Sequence, residues 1–422
     1  MASAPTVNGG AGSAPGFTHK KTIMKNKLFI VGASILQLPA IKTAKEMGLT
    51  VAVADRNPKA VGIPYADVYY NVSTVDEKGI YEAARDFGAE GIMTLATDMP
   101  MRAVAYACDR LDLCGIDYGT AIRSTDKGEM IKSFDGAGLP IPRYYLPDTL
   151  EDAVNLGNTL GYPLICKPID NSGSRGVTLV CTPDELPEAV AYGTKNSPSG
   201  RVILEEYLTG KEVSAEVVVW QGEATVLAVT DKLTTGAPHF VETGHSEPSR
   251  LPVSALKKVE KLAKDAVKAV GIRMGAAHVE IMVTEKGAYL IELGARMGGD
   301  CITTHLVPLS TGVNMIKANI NIALGEQPKL APKFSRGAAI RYVLPEKGTI
   351  KSVEGAQTAE CMSGVKCVEI MKRAGDTVDT VQNSNDRLGF VITQAETAER
   401  AVEIADAAAS VIRIGNLTAT EP

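Results

Sequence analysis

Apolar residues in this chain follow two rhythms. Residues 28–34 form a continuous apolar run closing on Gly32, Ala33 and Ser34, residues 38–47 repeat at helical spacing, and residues 50–55 form a second run of buried-strand type. A further run over 91–98 ends at Asp98, ahead of a helix beginning near Pro100. This alternation predicts a doubly wound parallel sheet over roughly the first 120 residues. The single Val-Gly-Ala-Ser turn after the first strand lacks the spaced glycines of a dinucleotide fingerprint, which argues against a nicotinamide site there.

A second unit begins near Ser124. Its pattern predicts helices over 126–137 and 148–160, then strands over 162–168, 177–181, 201–208, 212–220 and 224–232. Residues 238–250, PHFVETGHSEPSR, keep neither rhythm and read as a loop carrying His239, Glu242 and His245. An amphipathic helix over 256–270 and another over 314–324 follow. Residues 335–414 read as short strands with turns at 346–348 and 374–376, closed by a helix over 398–412, and no internal repeat is visible.

Bulk properties narrow the class. The 422 residues are 45% hydrophobic and 22% charged, as in a globular enzyme of about three domains. A net charge of −5 leaves no basic excess for a nucleic-acid partner. Seven cysteines without a CxxC pair fit a reducing, cytoplasmic setting. No apolar run approaches the roughly 20 residues of a membrane span, so no membrane partner is expected. The Gly-, Ala-, Ser- and Pro-rich start, residues 1–24, reads as a disordered tail.

The candidate chemistry concentrates in VEIMVTEKGAYLIELGARMGG, residues 279–299. Two apolar runs carrying Glu280 and Glu292 flank a Thr-Glu-Lys-Gly turn, which predicts an antiparallel hairpin with both carboxylates at one end of a sheet. Two convergent carboxylates suit a hard cation such as Mg²⁺ that also holds nucleotide phosphates, and Arg296 suits an anionic substrate. A surface hairpin with solvated glutamates is the alternative. Upstream, Lys167 ends a buried strand and precedes the small, donor-rich loop Asn171-Ser172-Gly173-Ser174-Arg175-Gly176, which suits phosphate oxygens or a plain hairpin turn. The segment EEYLTGKE, residues 205–212, offers Glu205 and Glu212 as acceptors for an exocyclic amine and a ribose diol, with hinge backbone at Tyr207 and Leu208.

In this order, Lys127, Lys167, the SGSRG loop, EEYLTGKE, Glu280, Glu292 and Arg296 resemble an ATP-grasp enzyme, specifically the carboxylate–amine and L-amino-acid ligase branch with its carboxylase-like three-domain layout. The segments around TDKLTTGAPHFVETGHSEPSRLP, AAHVEI, IELGARMGGD and HLVPLSTGVN point the same way. The resemblance implies a mixed α/β and α+β architecture. A Rossmann-like pre-ATP-grasp domain would span 25–122 and the ATP-grasp domain 123–330, with a mobile lid at about 161–208. A small C-terminal α+β domain would span 331–415, followed by a tail at 416–422.

It further implies that Lys127 and Lys167 contact the α- and β-phosphates of ATP. The loop Ser172, Gly173, Ser174, Arg175, Gly176 and Val177 would cover the triphosphate, while Glu205, Glu206, Tyr207, Leu208 and Glu212 would hold the nucleoside. Glu280 and Glu292 would bind Mg²⁺, with Mn²⁺ as a substitute, Lys232 would sit near the γ-phosphate, and Arg296 would hold substrate carboxylate and acyl-phosphate. Many relatives carry Asn where this chain has Gly294, which leaves that part of the metal shell to water or substrate oxygen. Glu242, His245, Gly298 and Gly299 are candidate substrate contacts; a turn is the other reading of the glycines. His278 faces phosphate or is a satisfied sheet histidine, and His305 reads as structural. The implied reaction is amide or peptide bond formation from a small-molecule carboxylate, an amino acid, and an amine, releasing ADP and phosphate. A homodimer is the expected assembly. Bicarbonate-using carboxylation and non-catalytic ATP binding are the rival functions.

Overall fold

The computed structural model describes residues 26–237, 240–378, 381 and 383–415. His239 lies outside them. The first unit is a four-stranded parallel sheet in the order Val68–Tyr70, Thr50–Ala54, Lys27–Val31, Gly91–Met93. Its central strand is apolar throughout because both faces are covered. Leu28 and Ile30 pack on helix Leu38–Glu46 and on helix Met315–Ala323, which returns from far along the chain. Phe29 and Val31 pack on helices Glu77–Phe87 and Met101–Leu111. The strand expected over 91–98 ends at Met93, and the chain then runs irregularly, with Ala96 at φ 60°, to deliver Asp98 to the central unit.

A second four-stranded sheet is antiparallel, in the order Tyr144–Tyr145, Val202–Glu206, Leu164–Pro168, Thr178–Val180. Helices Leu150–Leu160 and Leu186–Lys195 supply its core through Ala153, Leu160, Leu186 and Ala189. This lobe therefore starts at Tyr144, earlier than the expected lid boundary. The second helix was missed in the sequence, although Leu186, Ala189, Val190 and Gly193 carry helical spacing.

The largest sheet has eight strands, in the order Ala288–Gly294, Gly275–Val283, Lys211–Trp220, Glu223–Thr234, Glu242–Glu247, Gly337–Val343, Gly389–Ala395, Val365–Ile370. Two features correct the sequence reading. The segment expected as a loop holds an interior strand, Glu242–Glu247, whose Gly244, His245, Ser246 and Glu247 are buried. Apolar periodicity is absent there because polar partners replace apolar packing: the Thr230 and Ser310 hydroxyls donate to Glu247 at 2.9 and 2.7 Å. Burial, opposed only in part by those donors, raises the Glu247 carboxyl to about 8, so the group is largely protonated at neutral pH. The sheet also runs unbroken across the boundary expected near 331, since Glu242–Glu247 pairs directly with Gly337–Val343. No helix among the described residues is long and apolar enough to cross a membrane.

Candidate active site

The site lies on one face of the eight-stranded sheet, and strand periodicity determines which side chains reach it. In Lys211–Trp220, Val213, Ala215, Val217 and Val219 turn to helix Val253–Val270 and form the core with Val259, Ala263 and Ala266. Glu212, Ser214 and Glu216 consequently project to the opposite face. Their register partners there are Met282, Glu280 and His278.

The hairpin carrying the two metal candidates contains an irregularity that matters. From its turn the register runs Val283↔Ala288, Met282↔Tyr289, Ile281↔Leu290, which on a regular ladder would oppose Glu280 to Ile291 and bury Glu292 against the helix. A β-bulge intervenes, so Glu280 stands opposite Glu292 and both carboxylates share the site face.

Cations surround these carboxylates. The Lys232 ammonium lies 2.5 Å from Glu212, 3.2 Å from Glu280 and 4.0 Å from Glu242. Burial disfavours its charge, but Glu212, Glu280 and Glu242 outweigh burial and hold it well above the usual lysine value. Glu280 is the mirror case: burial pushes it up, yet Lys232 and His278 hold it well below the usual carboxylate range. The Lys127 ammonium bridges Glu292 at 2.8 Å to the Asn171 carbonyl at 2.6 Å, tying the strand that carries Glu292 to the loop of the smaller antiparallel lobe. In that lobe Lys167 meets Glu205 at 2.7 Å, both nearly buried; Glu205, with Glu292 and Glu280 beyond it, overcomes desolvation and raises the lysine.

One cleft between the lobe and the large sheet gathers Lys127, Lys167, Lys232, Glu280, Glu292 and Arg296. Ser172, Gly173, Ser174, Arg175 and Val177 line its lobe side, and Tyr207, Leu208, Glu212 and Glu242 its hinge side. Gly176, at φ +83°, lies behind the loop, where a Cβ would come within 2.7 Å of Pro168 and 2.8 Å of Asn196. Glu206 also lines the cleft, and its carboxylate meets Arg143 at 3.0 Å. Ile165, Met282 and Ile291 add apolar walls between the lobe and the sheet.

Four expected residues sit behind the cleft. His278 is buried between Glu216, at 2.6 Å from Nδ1, and Glu280, at 3.3 Å from Nε2. Burial alone would lower it, but the two carboxylates raise it to about 9, so at neutral pH it is an imidazolium bracing Glu280. Gly298 sits against this pair, where a Cβ would fall 2.7 Å from His278 Nδ1 and 2.8 Å from a Glu216 oxygen. Gly299 has open space to within 3.9 Å of the Ala96 carbonyl. His245 is buried with Nε2 3.5 Å from Asp300, and its Nδ1 and Glu216 Oε2 are buried atoms without a partner.

Residues overlooked in the sequence complete the arrangement. Asp98 accepts two hydrogen bonds from Arg296, both 2.9 Å, and anchors that guanidinium to the parallel domain. A Cβ on Gly294 would lie 2.7 Å from Asp98 Oδ1 and 2.9 Å from Arg296 Cζ. The missing side chain at 294 is thus the space the Asp98–Arg296 pair occupies. Arg387 pairs twice with Asp300, at 2.8 and 2.9 Å, and stacks 3.6 Å over Tyr342, docking the C-terminal strands against His245. The alternation of Glu212, Ser214 and Glu216 was a readable signal; Asp98 and Arg387 carried none, because their partners are distant in sequence.

The donor set fits Mg²⁺. Among the described residues no cluster of three or more acidic, His or Cys groups is arranged to hold a metal. Two facing carboxylates and no soft ligand match an ion that completes its octahedron with water and phosphate oxygens.

Comparison with known proteins agrees with this geometry. Residues 160–304 match the ATP-grasp domain, and residues 341–416 match the L-amino acid ligase C-terminal domain 2. The alanine–anticapsin ligase of Bacillus subtilis is 28% identical over 297 residues, covering 63% of this chain and 61% of the ligase. An L-arginine-specific L-amino acid ligase of Bacillus subtilis is 24% identical over 65% of this chain and 67% of its own length. The crystal structure of an L-amino acid ligase from Bacillus licheniformis superposes with a TM-score of 0.82 at 22% identity, over 94% of this chain and all of that one. The chain belongs to the ATP-grasp superfamily, in the branch of ADP-forming carboxylate–amine ligases that includes the L-amino-acid ligases.

Proposed function

We propose that the substrates are two small molecules, an amino acid whose carboxylate is activated by ATP and an amine that captures it, with the cleft residues acting as follows. Ile165, Met282 and Ile291 sandwich the adenine, Tyr207 and Leu208 present hinge backbone to its edge, and Glu212 takes the ribose. Lys127 and Lys167 neutralise the inner phosphates beneath the loop at 172–177. Glu280 and Glu292 hold Mg²⁺, which supplies charge neutralisation on the phosphate oxygens. Lys232 faces the γ-phosphate, and Arg296, held rigid by Asp98, receives the carboxylate. Positioning and charge neutralisation supply most of the acceleration in such a transfer. The donor carboxylate attacks the γ-phosphorus, ADP leaves, and the amine displaces phosphate from the resulting acyl-phosphate. Glu242, on the cleft wall beside Lys232, suits the donor's ammonium.

The observation that carries this reading is the bulged hairpin opposing Glu280 to Glu292 in one cleft with three lysines and Arg296. ADP release with Mg²⁺ and ATP, measured across amino acids singly and in pairs and with bicarbonate separately, tests it. A specific pair should stimulate ADP release and give a condensed product of matching mass. Stimulation by bicarbonate alone would move the protein to carboxylation, and ATP binding without turnover for any substrate would make it a binding module.

A further inference from the structure

A second cavity adjoins the nucleotide cleft and has no role in the reaction so far described. It opens between helix Met101–Leu111 of the parallel domain and the loop of the antiparallel lobe, and it shares Lys127, Asn171, Ser172 and Glu292 with the nucleotide cleft. Its volume is about 260 Å³. That is below the about 300 Å³ at which drug-sized pockets begin, and it suits a ligand of amino-acid size. Val75, Met99, Ala103 and Met130 form apolar walls, and Val75 and Met99 are 51% and 47% exposed at the mouth.

Arg102 lines the cavity and forms no ion pair among the described residues, although Glu77, Asp98, Asp170 and Glu292 line the same space. Arg102 is anchored through Nε to Thr125 Oγ1 at 2.8 Å, while its terminal nitrogens donate to no protein acceptor among the described residues. A half-buried guanidinium with its fork free matches a carboxylate bidentately.

We propose that this cavity is the acceptor subsite, and that the acceptor is an α-amino acid with an apolar side chain. Arg102 holds its carboxylate, Val75, Met99, Ala103 and Met130 take its side chain, and its amino group points to the Glu292 end, where the cavity meets the phosphate end of the cleft. There the amine lone pair attacks the acyl-phosphate carbonyl, the carbon–oxygen bond to phosphate breaks, and the departing phosphate carries the amine proton away. This proposal rests on the ligase reading and adds the acceptor's class and its entry from the parallel-domain side.

Hydroxylamine separates the two claims, because it traps an acyl-phosphate as a hydroxamate without needing an acceptor pocket. Screening the twenty L-amino acids with ATP, Mg²⁺ and hydroxylamine identifies the donor; no hydroxamate from any would remove the ligase reading and this proposal with it. With that donor, L-leucine, L-phenylalanine and L-methionine are compared as acceptors with their carboxamides, using wild type, Arg102→Met and Met99→Trp. Both variants should keep hydroxamate formation within about twofold of wild type and raise the acceptor KM at least about tenfold, the loss expected for a charged hydrogen bond or a filled pocket. The carboxamides should be poor acceptors for wild type and insensitive to Arg102→Met. Equal loss of hydroxamate and dipeptide formation, unchanged acceptor KM in both variants, or hydroxamate without dipeptide from any apolar acceptor would overturn the assignment.

Discussion

Glu292→Gln should abolish ADP release, lowering kcat by at least about 10³-fold, while the protein melts within about 3 °C of wild type. The substitution keeps shape and removes one of the two charges that the bulge brings to the site face. With no third protein ligand among the described residues, the lost charge has no substitute. The fold is insulated because the ion-pair partner of Glu292, Lys127, keeps its 2.6 Å bond to the Asn171 carbonyl. A coupled ADP assay beside a thermal melt checks both halves. Turnover near wild type would remove Glu292 from the metal site.

Lys232→Met should be the costliest substitution for the folded chain itself. Lys232 is 5% exposed and serves Glu212, Glu280 and Glu242 together, so its loss leaves three partly buried carboxylates facing one another. Breaking a buried pair from one side costs about 3–5 kcal/mol, and residual solvent access at the carboxylates points to the lower end. The pH dependence gives the effect a sign. In the wild type Glu280 is held below its ordinary value, so its contribution is present above the unfolded carboxylate pKa and is lost as pH falls through the depressed folded one. Without Lys232 the strongest opposition to burial at Glu280 is gone and only His278 still favours its charge, so the folded carboxylate moves upward and the stability it contributes at higher pH shrinks. The melting deficit relative to wild type should therefore be larger at pH 8 than at pH 5.5, and millimolar Mg²⁺ should reduce it at pH 8 by replacing the missing charge. A deficit independent of pH and of Mg²⁺ would show that lost packing, not charge, is responsible.

The parts of this molecule legible in sequence are those where chemistry and periodicity coincide. Leu28–Val31 reads as a buried strand because both faces are covered, and helix Val253–Val270 reads from its apolar stripe. Lys127, Lys167, Glu280, Glu292 and Arg296 were expected to act together from their order in the sequence, and the folded chain brings them into one cleft. Three features were not legible. Strand Glu242–Glu247 lies in the middle of a sheet, yet its buried end is polar, with Glu247 accepting from Thr230 and Ser310, so no apolar rhythm marks it. The bulge that turns Glu292 to the site face depends on one extra residue, Ile291, and hairpin spacing alone would have buried the carboxylate. Asp98 and Arg387 act through partners 198 and 87 residues away, and only the folded chain joins them.

The measurement that tests the central claim most directly is oxygen transfer from the donor. With the donor amino acid labelled with ¹⁸O in its carboxylate, and its acceptor supplied, attack on the γ-phosphorus followed by amine displacement should leave one labelled oxygen in each inorganic phosphate released. Phosphate without label, at a normal rate of product formation, would show that no acyl-phosphate lies on the path.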